Sequence, residues 1–541
     1  MGRRIEPFVV GFALAACTAE PVDPPVVDVE RDAGPEVIAP LLPLHRCRTP
    51  EVTTPFVDVS SCTHVEARRG YDDNYQTSGQ AFADIDNDGW IDLYVTDTTG
   101  PNTLYGNNGD GTFSIARQHP AVSGHYASGG AVFADYNNDG YADLYVLNFG
   151  ANALYRNDKG VRFVDVTATA GVGDPGKSQT AAWGDYDNDG FIDLYVTNWA
   201  CPECDGDPLV TSRDTLYHNE GNGTFTDVSH LLGGIELSGA GYVTSFLDFD
   251  DDGDLDLYVV NDKGYPGPRE EGGPMNRNLL YVNEGEGCGG WCFVDRAVEA
   301  GADLGMDGMG LAITDYDDDG DLDMFVTDIG PPHFLENQGD GTFADVTERT
   351  KTGYDHESWG TVFLDYDNDG RQDLYFALGI AFGFESPNRL FWNAGDGTFE
   401  DVSDTSGASD AAYTIGVASG DYDNDGAVDL VIGNWARGYR LLRNLATEQN
   451  DHAWITLKMV GGGFVNRDAI GTRVTVVTSD GRRLTQEVKS GSSNGSGNDM
   501  RLHFGLGDAA IDRIEIRWTD GVRQTVEDVE ARQRLTLPYP G

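Results

Sequence analysis

Apolar and polar positions in this chain follow one another in short blocks that recur seven times. Each block opens with small and apolar residues, such as Gly79-Gln80-Ala81-Phe82-Ala83 or Gly130-Ala131-Val132-Phe133-Ala134. An acidic loop follows, then an apolar run with a polar tip: Leu93-Tyr94-Val95-Thr96-Asp97, Leu144-Tyr145-Val146-Leu147-Asn148, Leu194-Tyr195-Val196-Thr197-Asn198. A third run has the form Asn-x-Leu-Tyr-x-Asn, as in Asn102–Asn107 and Asn152–Asn157, with Asn388–Asn393 a close variant. A Gly-Asp-Gly-Thr-Phe turn, as at Gly339–Phe343 and Gly395–Phe399, then leads into Phe-x-Asp-Val-(Thr/Ser). Short apolar runs bounded by Gly, Asn and Asp read as strands. Four strands in each unit of roughly 50 to 65 residues predict an all-β fold, a seven-bladed β-propeller over residues 51–446.

Ring closure offers a separate check. The seventh unit runs to Arg443-Asn444 but lacks the Phe-x-Asp-Val strand, which stands instead before the first unit as Phe56-Val57-Asp58-Val59-Ser60. That segment is expected to complete the last blade, leaving no loose edge.

The acidic loops read Asp-x-(Asp/Asn)-x-Asp-Gly-x-x-Asp and start at Asp84, Asp135, Asp185, Asp248, Asp315, Asp365 and Asp421. Two unit charges about 4 Å apart repel by roughly 4 kcal/mol at an effective dielectric near 20, so such crowding calls for a cation. The spacing suits calcium, with side-chain oxygens from positions 1, 3, 5 and 9, a carbonyl from position 7, and a sharp turn at Gly in position 6. The expected ligands are Asp84, Asp86, Asp88, Trp90 and Asp92; Asp135, Asn137, Asp139, Tyr141 and Asp143; Asp185, Asp187, Asp189, Phe191 and Asp193; Asp248, Asp250, Asp252, Asp254 and Asp256. The remaining sets are Asp315, Asp317, Asp319, Asp321 and Asp323; Asp365, Asp367, Asp369, Arg371 and Asp373; Asp421, Asp423, Asp425, Ala427 and Asp429, giving about seven calcium sites, one per blade. Extra acids (Asp251 and Asp254, Asp318 and Asp321) mark the fourth and fifth loops as the expected tightest binders. The bland alternative is an Asx-rich turn that needs no metal. No Glu stands at position 12, so these are not EF-hands.

The Asp-x-Asp-x-Asp-Gly-x-x-Asp-Leu units resemble FG-GAP/VCBS-type repeats, the kind that build integrin α-subunit propellers. Residues 450–541 resemble the ASPIC/UnbV domain, which follows such repeats in the cartilage acidic protein family and its bacterial relatives. The matching segments are Asn466–Val474, Gly491-Ser492-Ser493, Arg501–Gly507 and Ile514–Trp518. After Gly-Ser-Ser such domains carry an aromatic and larger residues, whereas here the run is Asn494-Gly495-Ser496-Gly497-Asn498. Alternation in Arg473-Val474-Thr475-Val476-Val477 and Arg513–Trp518 predicts a small β-sandwich-like domain. From Asp451 onward twelve Lys/Arg face twelve Asp/Glu, and these arginines are expected to pair with their own domain's acids.

The formal net charge of −54 lies upstream of that domain and excludes general nucleic-acid binding through a basic face. The N-terminus reads as an address. Arg3 and Arg4 precede a short apolar run, and Leu14-Ala15-Ala16-Cys17 resembles a bacterial lipobox in which Cys17 is lipidated. Residues 1–17 are thus a lipoprotein signal peptide and residues 18–50, with Pro21, Pro24, Pro25, Pro35, Pro40 and Pro43, a disordered tether. The expected location is the bacterial cell envelope, held by a lipid anchor, with secretion as the alternative. Six further cysteines fall in near-neighbour pairs, Cys47/Cys62, Cys201/Cys204 and Cys288/Cys292, each a candidate disulfide in an oxidising compartment.

Long loops at Trp199–Arg213, Asp262–Arg277 and Leu378–Pro387 are expected on the face opposite the aspartates, the default ligand surface. Strand tips Asp97, Asn148, Asn198, Asn261, Asp328 and Asn434 ring its centre, either for binding or for capping, and His125, His356 and Glu357 enter the same face. No Gly-x-Ser-x-Gly, His-Glu-x-x-His or phosphate-binding loop is present. The sequence therefore predicts a non-catalytic binding or adhesion module for a protein or glycan. Its alternatives are an extracellular polysaccharide hydrolase or lyase and a structural envelope protein.

Overall fold

The computed structural model describes residues 36–38, 53–65, 77–116, 119, 122, 127–199, 213–233, 240–262, 277–288, 291–381, 384–435 and 437–541. Cys17, Cys47, Cys201, Cys204 and His125 lie outside the described residues, as does most of the loops after Trp199 and Asp262. Among the described residues no helix is long and apolar enough to cross a membrane.

Every repeat unit forms one four-stranded antiparallel sheet, and together they make an all-β propeller. In the first sheet Gln80–Ala83, Asp92–Val95, Thr103–Asn107 and Phe113–Ile115 pair in chain order. The aspartate loop is the turn between first and second strands and the Gly-Asp-Gly turn joins third to fourth. Both therefore lie at one end of each sheet. In the seventh sheet Thr414–Gly420, Asp429–Asn434 and Gly438–Asn444 are joined by Phe56–Asp58, with Phe56 opposite Asn444 and Asp58 opposite Leu442. The N-terminal segment closes the ring as expected.

Second strands are apolar on both faces because each is sandwiched between neighbouring sheets. Leu93 and Tyr94 have 0 % of their surface exposed, and the Tyr94 hydroxyl donates to the Val122 carbonyl at 2.7 Å. A second seam uses position 2 of the aspartate loops. Tyr136, Tyr186, Phe249, Tyr316, Tyr366 and Tyr422 each lie 5.5 to 6.3 Å, centroid to centroid, from the fourth-strand Phe of the next sheet.

The C-terminal region forms two further sheets. Ala453–Val460, Leu502–Gly507 and Gln533–Pro538 belong to one, and Arg473–Thr478, Arg483–Glu487, Ile511–Arg517 and Arg523–Glu527 make the other. Ile455, Leu457, Val474, Val476, Ile514 and Leu535 fill the space between them, in one core continuous with Trp183 and Tyr145 of the propeller. The first of these sheets takes a fourth strand from the expected tether: Glu36–Ile38 pairs antiparallel with Gln533–Pro538, Glu36 opposite Thr536. This corrects the reading of residues 18–50 as uniformly disordered. Between Pro35 and Pro40 the backbone N–H groups are intact, so a short strand can add to an open edge.

Candidate metal centres

All seven aspartate loops share one backbone conformation. Position 4 is left-handed in each, at Asn87, Asn138, Asn188, Asp251, Asp318, Asn368 and Asn424, and so is the Gly at position 6. The position-1 carboxylate holds the turn. Asp84 accepts from the N–H groups of Asp88 at 3.1 Å and Gly89 at 3.0 Å, and Asp185, Asp315, Asp365 and Asp421 repeat the pattern. Asp92 at position 9 accepts from the N–H groups of Ile85 at 3.0 Å and Asn107 at 2.7 Å. The loop is thus shaped by its own backbone before any ion is considered.

Oxygens remain for a cation. Carboxylate atoms of Asp84, Asp86 and Asp92 lie within 4.8 Å of one another, as do those of Asp185, Asp187 and Asp193, of Asp248, Asp250 and Asp252, and of Asp315, Asp317 and Asp323. Asp187 Oδ1 and Asp248 Oδ1 are buried without a hydrogen-bond donor, an arrangement that costs free energy unless something positive joins it. Burial pushes the Asp135 carboxyl up to about 7 and that of Asp315 to about 8, with neighbouring aspartates adding to the effect. The donor set, hard oxygens in a tight turn, fits calcium.

Two rings of asparagine tie the loops together. The Asn that ends each third strand donates from Nδ2 to a position-2 carbonyl of the preceding sheet: Asn157 to Ile85, Asn219 to Tyr136, Asn283 to Tyr186, Asn337 to Phe249, Asn393 to Tyr316 and Asn444 to Tyr366, at 2.7 to 2.9 Å. The second ring is position 4. Asn87 donates to the Gly140 carbonyl, Asn138 to that of Gly190, Asn368 to that of Gly426 and Asn424 to that of Gly89, each one sheet onward. An Asp cannot donate, so in the fourth and fifth loops position 4 takes arginines instead. Asp251 pairs with Arg473 at 2.8 Å and Arg517 at 2.9 Å, and Asp318 lies 4.0 Å from Arg482. Asp254 accepts from Asn188 at 2.8 Å. Asp251, Asp254 and Asp318 therefore serve contacts between sheets and domains.

The residue just before the strand-ending Asn faces its own loop. In the third sheet it is His218, whose Nδ1 lies 3.2 Å from Asp193 and 3.4 Å from Asp187. In the seventh it is Arg443, 5 % exposed, with Nε 2.6 Å from Asp423 and Nη2 2.5 Å from Asp425.

The C-terminal domain covers this face. Arg517 reaches Asp248 at 2.5 Å, Arg501 donates to the Asp421 carbonyl at 2.9 Å, and Asp468 accepts from the Asp135 N–H at 2.6 Å. The expectation that its arginines pair within the domain is thus corrected for Arg517, and Arg473 lies closer to Asp251 than to Glu487 of its own domain, whereas Arg501 pairs with Asp499 of its own domain at 2.7 Å and reaches the Asp421 carbonyl as well. Its 490–499 segment goes further and bonds to the first strand of every sheet. Gly497 pairs with Gln80 and Phe82, the Gly495 carbonyl accepts from Ala131, and Gly495 N–H donates to Thr180. Ser245 donates to the Gly491 carbonyl, Ser493 N–H to the Leu311 carbonyl, Thr361 N–H to Ser493 Oγ and Ser419 N–H to Asn498 Oδ1. The segment plugs the ring. A Cβ on Gly495 would stand 2.9 Å from the Gly129 carbonyl, which is why small residues replace the larger ones expected here.

At the other end of the sheets the polar strand tips cap their neighbours. Asn148 donates to the Ala151 carbonyl, Asn198 to that of Arg213 and Asn261 to that of Arg277. Glu357 accepts from the Trp359 indole at 2.9 Å and the Tyr413 hydroxyl at 2.8 Å, whereas His356 is exposed beside Tyr354, so the two do not form a metal pair. Trp199 donates to Asp262 at 2.8 Å with Lys177 over its ring, and Trp435 packs edge-on against Tyr413. This end is aromatic and acidic.

Comparison with known proteins agrees in domain order. The FG-GAP-like repeat family matches residues 84–146, 135–196, 205–259, 315–376 and 378–432, and the ASPIC and UnbV family matches residues 462–541. Cartilage acidic protein 1 of Mus musculus is 26 % identical over 497 residues, 85 % of this chain and 74 % of that protein. Its Homo sapiens counterpart is 28 % identical over 284 residues, 50 % of this chain and 41 % of the relative, so this match spans less than half of the human protein. Among solved structures, PorZ, an essential bacterial surface component of the type-IX secretion system of Porphyromonas gingivalis, is 12 % identical at a TM-score of 0.41, covering 87 % of this chain and 60 % of that one.

Proposed function

Because the chain belongs to the FG-GAP-like repeat family and ends in an ASPIC and UnbV domain, we propose that it is a calcium-stabilised, non-catalytic binding module that recognises a protein or glycan. The observation that carries this reading is the plug. With the ring centre filled by residues 490–499 and the aspartate face covered by the same domain, the opposite face is the one left for a ligand. Trp199 and Trp435 there, half-buried on that face with Glu357 close to Tyr413 beneath them, combine flat apolar surface with hydrogen-bonding edges, the chemistry that sugar rings and aromatic-rich peptides engage.

Calcium belongs to the same proposal. Asp84, Asp86, Asp88 and Asp92, and their equivalents in loops with no cation already lodged among the carboxylates, would hold it; when bound it supplies the positive charge those carboxylates lack. The aspartate face then has a structural task and the opposite face a recognition task. Display on the bacterial envelope through a lipid on Cys17, and stapling by the pairs Cys47/Cys62, Cys201/Cys204 and Cys288/Cys292, complete the reading. Cys62 and Cys292, whose side chains are described, are both engaged.

The test is binding of the full chain to a panel of immobilised glycans, polysaccharides and envelope proteins, with Trp199→Ala and Trp435→Ala beside wild type. Retention by one member of the panel that falls at least tenfold in these variants supports the reading. Turnover of a polysaccharide during the same incubation would replace it with the hydrolase or lyase alternative.

A further inference from the structure

The seven aspartate loops differ in what stands among their carboxylates. In the first loop Asp86 is exposed, and the adjoining third-strand position is Gly106, which has no side chain to offer. In the seventh loop that position is Arg443, and its guanidinium is 5 % exposed between two carboxylates that are themselves 3 % and 6 % exposed. Nε lies 2.6 Å from Asp423 and Nη2 lies 2.5 Å from Asp425, so one planar fork spans loop positions 3 and 5. The third arm, Nη1, reaches Glu448 at 2.9 Å.

Bookkeeping of the remaining oxygens points the same way. Asp421 accepts from the N–H groups of Asp425 and Gly426, Asp425 from that of Ala427, and Asp429 from those of Tyr422 and Asn444. Asp423 Oδ1 has no hydrogen-bond donor, but Arg443 already holds the same carboxylate through Oδ2, so a positive partner is in place there. Arg501 adds a second guanidinium beside the loop, bonded to the Asp421 carbonyl at 2.9 Å and Asn424 Oδ1 at 2.8 Å. An arginine cannot give up its proton at any ordinary pH, so this charge is permanent. By contrast, Arg156, at the equivalent place in the second sheet, is exposed.

We propose that the seventh loop holds no metal: Arg443 is its resident cation, and the chain binds six calcium ions in its seven loops. The inference rests on the calcium reading of the other loops. It makes the last sheet, which the N-terminal strand must close, independent of ion supply.

The experiment counts calcium bound to the full chain by atomic emission after equilibration in calcium and removal of free ion, and repeats it for Asp86→Asn, Asp423→Asn and Arg443→Gln. Six ions are expected in wild type, five in Asp86→Asn, six in Asp423→Asn and seven in Arg443→Gln. Thermal unfolding with and without calcium gives a second readout, in which Asp423→Asn lowers the midpoint in both conditions and leaves the calcium-induced rise unchanged. Should Arg443→Gln fail to fold, the Asp423→Asn count still decides. Seven ions in wild type together with six in Asp423→Asn would overturn the assignment of the seventh loop alone. A wild-type count of zero would overturn the calcium reading and this inference with it.

Discussion

Asn107 Nδ2 donates to the carbonyl of Tyr422 at 2.9 Å, joining the first sheet to the seventh across 315 residues of chain. The same amide donates to the Ile91 carbonyl at 2.9 Å, and the Asn107 N–H is held by Asp92. One side chain therefore fixes its own turn and the seam to its neighbour.

Asn107→Ala should destabilise the ring by about 1 to 3 kcal/mol, since two carbonyls lose their donors. The equivalent Asn393→Ala, away from the closure, should cost a similar amount. Chemical denaturation of both variants, compared at equal slope, measures this.

Calcium should raise the thermal midpoint and magnesium should not, because the smaller ion keeps its waters and its octahedral geometry. A site saturated 1,000-fold above its dissociation constant adds about 4 kcal/mol. Asp187→Asn should lose more of this gain than Asp251→Asn, whose carboxylate faces Arg473 and Arg517. Scanning calorimetry in calcium, magnesium and EDTA distinguishes them.

Gly495→Val should loosen the C-terminal domain from the propeller. Its backbone angle of φ +57° disfavours a β-branched residue, and the new Cβ would meet the Gly129 carbonyl. Limited proteolysis should cut the variant near residue 450 at least tenfold faster than wild type, while the separated propeller keeps its strand content by circular dichroism.

Asp214 stands where four other units have Asn102, Asn152, Asn278 and Asn388. Burial raises its pKa to about 8, although it accepts from the Asn198 N–H and the Tyr195 hydroxyl. An unfolded Asp releases its proton near pH 4, whereas this one keeps it until about pH 8, so wild-type stability falls as pH rises through that window. Asp214→Asn should remove this slope and stabilise the protein more at pH 7.5 than at pH 5. Denaturant titrations at the two pH values provide the check.

Much of this architecture was legible in the residues. Glycine at position 6, the recurring Phe-x-Asp-Val strand and its displaced copy at Phe56 each carry a physical requirement that survives in a single sequence. The plug was not legible. Ser490 to Asn498 has no apolar period, and a run of Gly, Ser and Asn reads as a linker unless the strands it bonds to are seen around it. Position 4 was hidden differently: Asn suits a left-handed turn for local reasons, which masks the bond it makes to the next sheet. Arg443 was hidden because the same position holds Gly106, His218, Val282, Glu336 and Trp392 elsewhere, so no pattern singles it out.

The plug also sets an order of events. Ser60 must find Leu441 across 381 residues, and Gln80 must find Ser496 across 416. During synthesis both partners of the early strands emerge last, so the first sheets wait as an open arc whose inner N–H and carbonyl groups stay wet. The arc becomes a ring when Phe56 meets Asn444, and the final segment then arrives to serve as its axle. Chains truncated before residue 490 should therefore close through Phe56 and Asn444 but leave the inner groups of their first strands unpaired, and the protein's maturation time should be governed by its last fifty residues more than by its first four hundred.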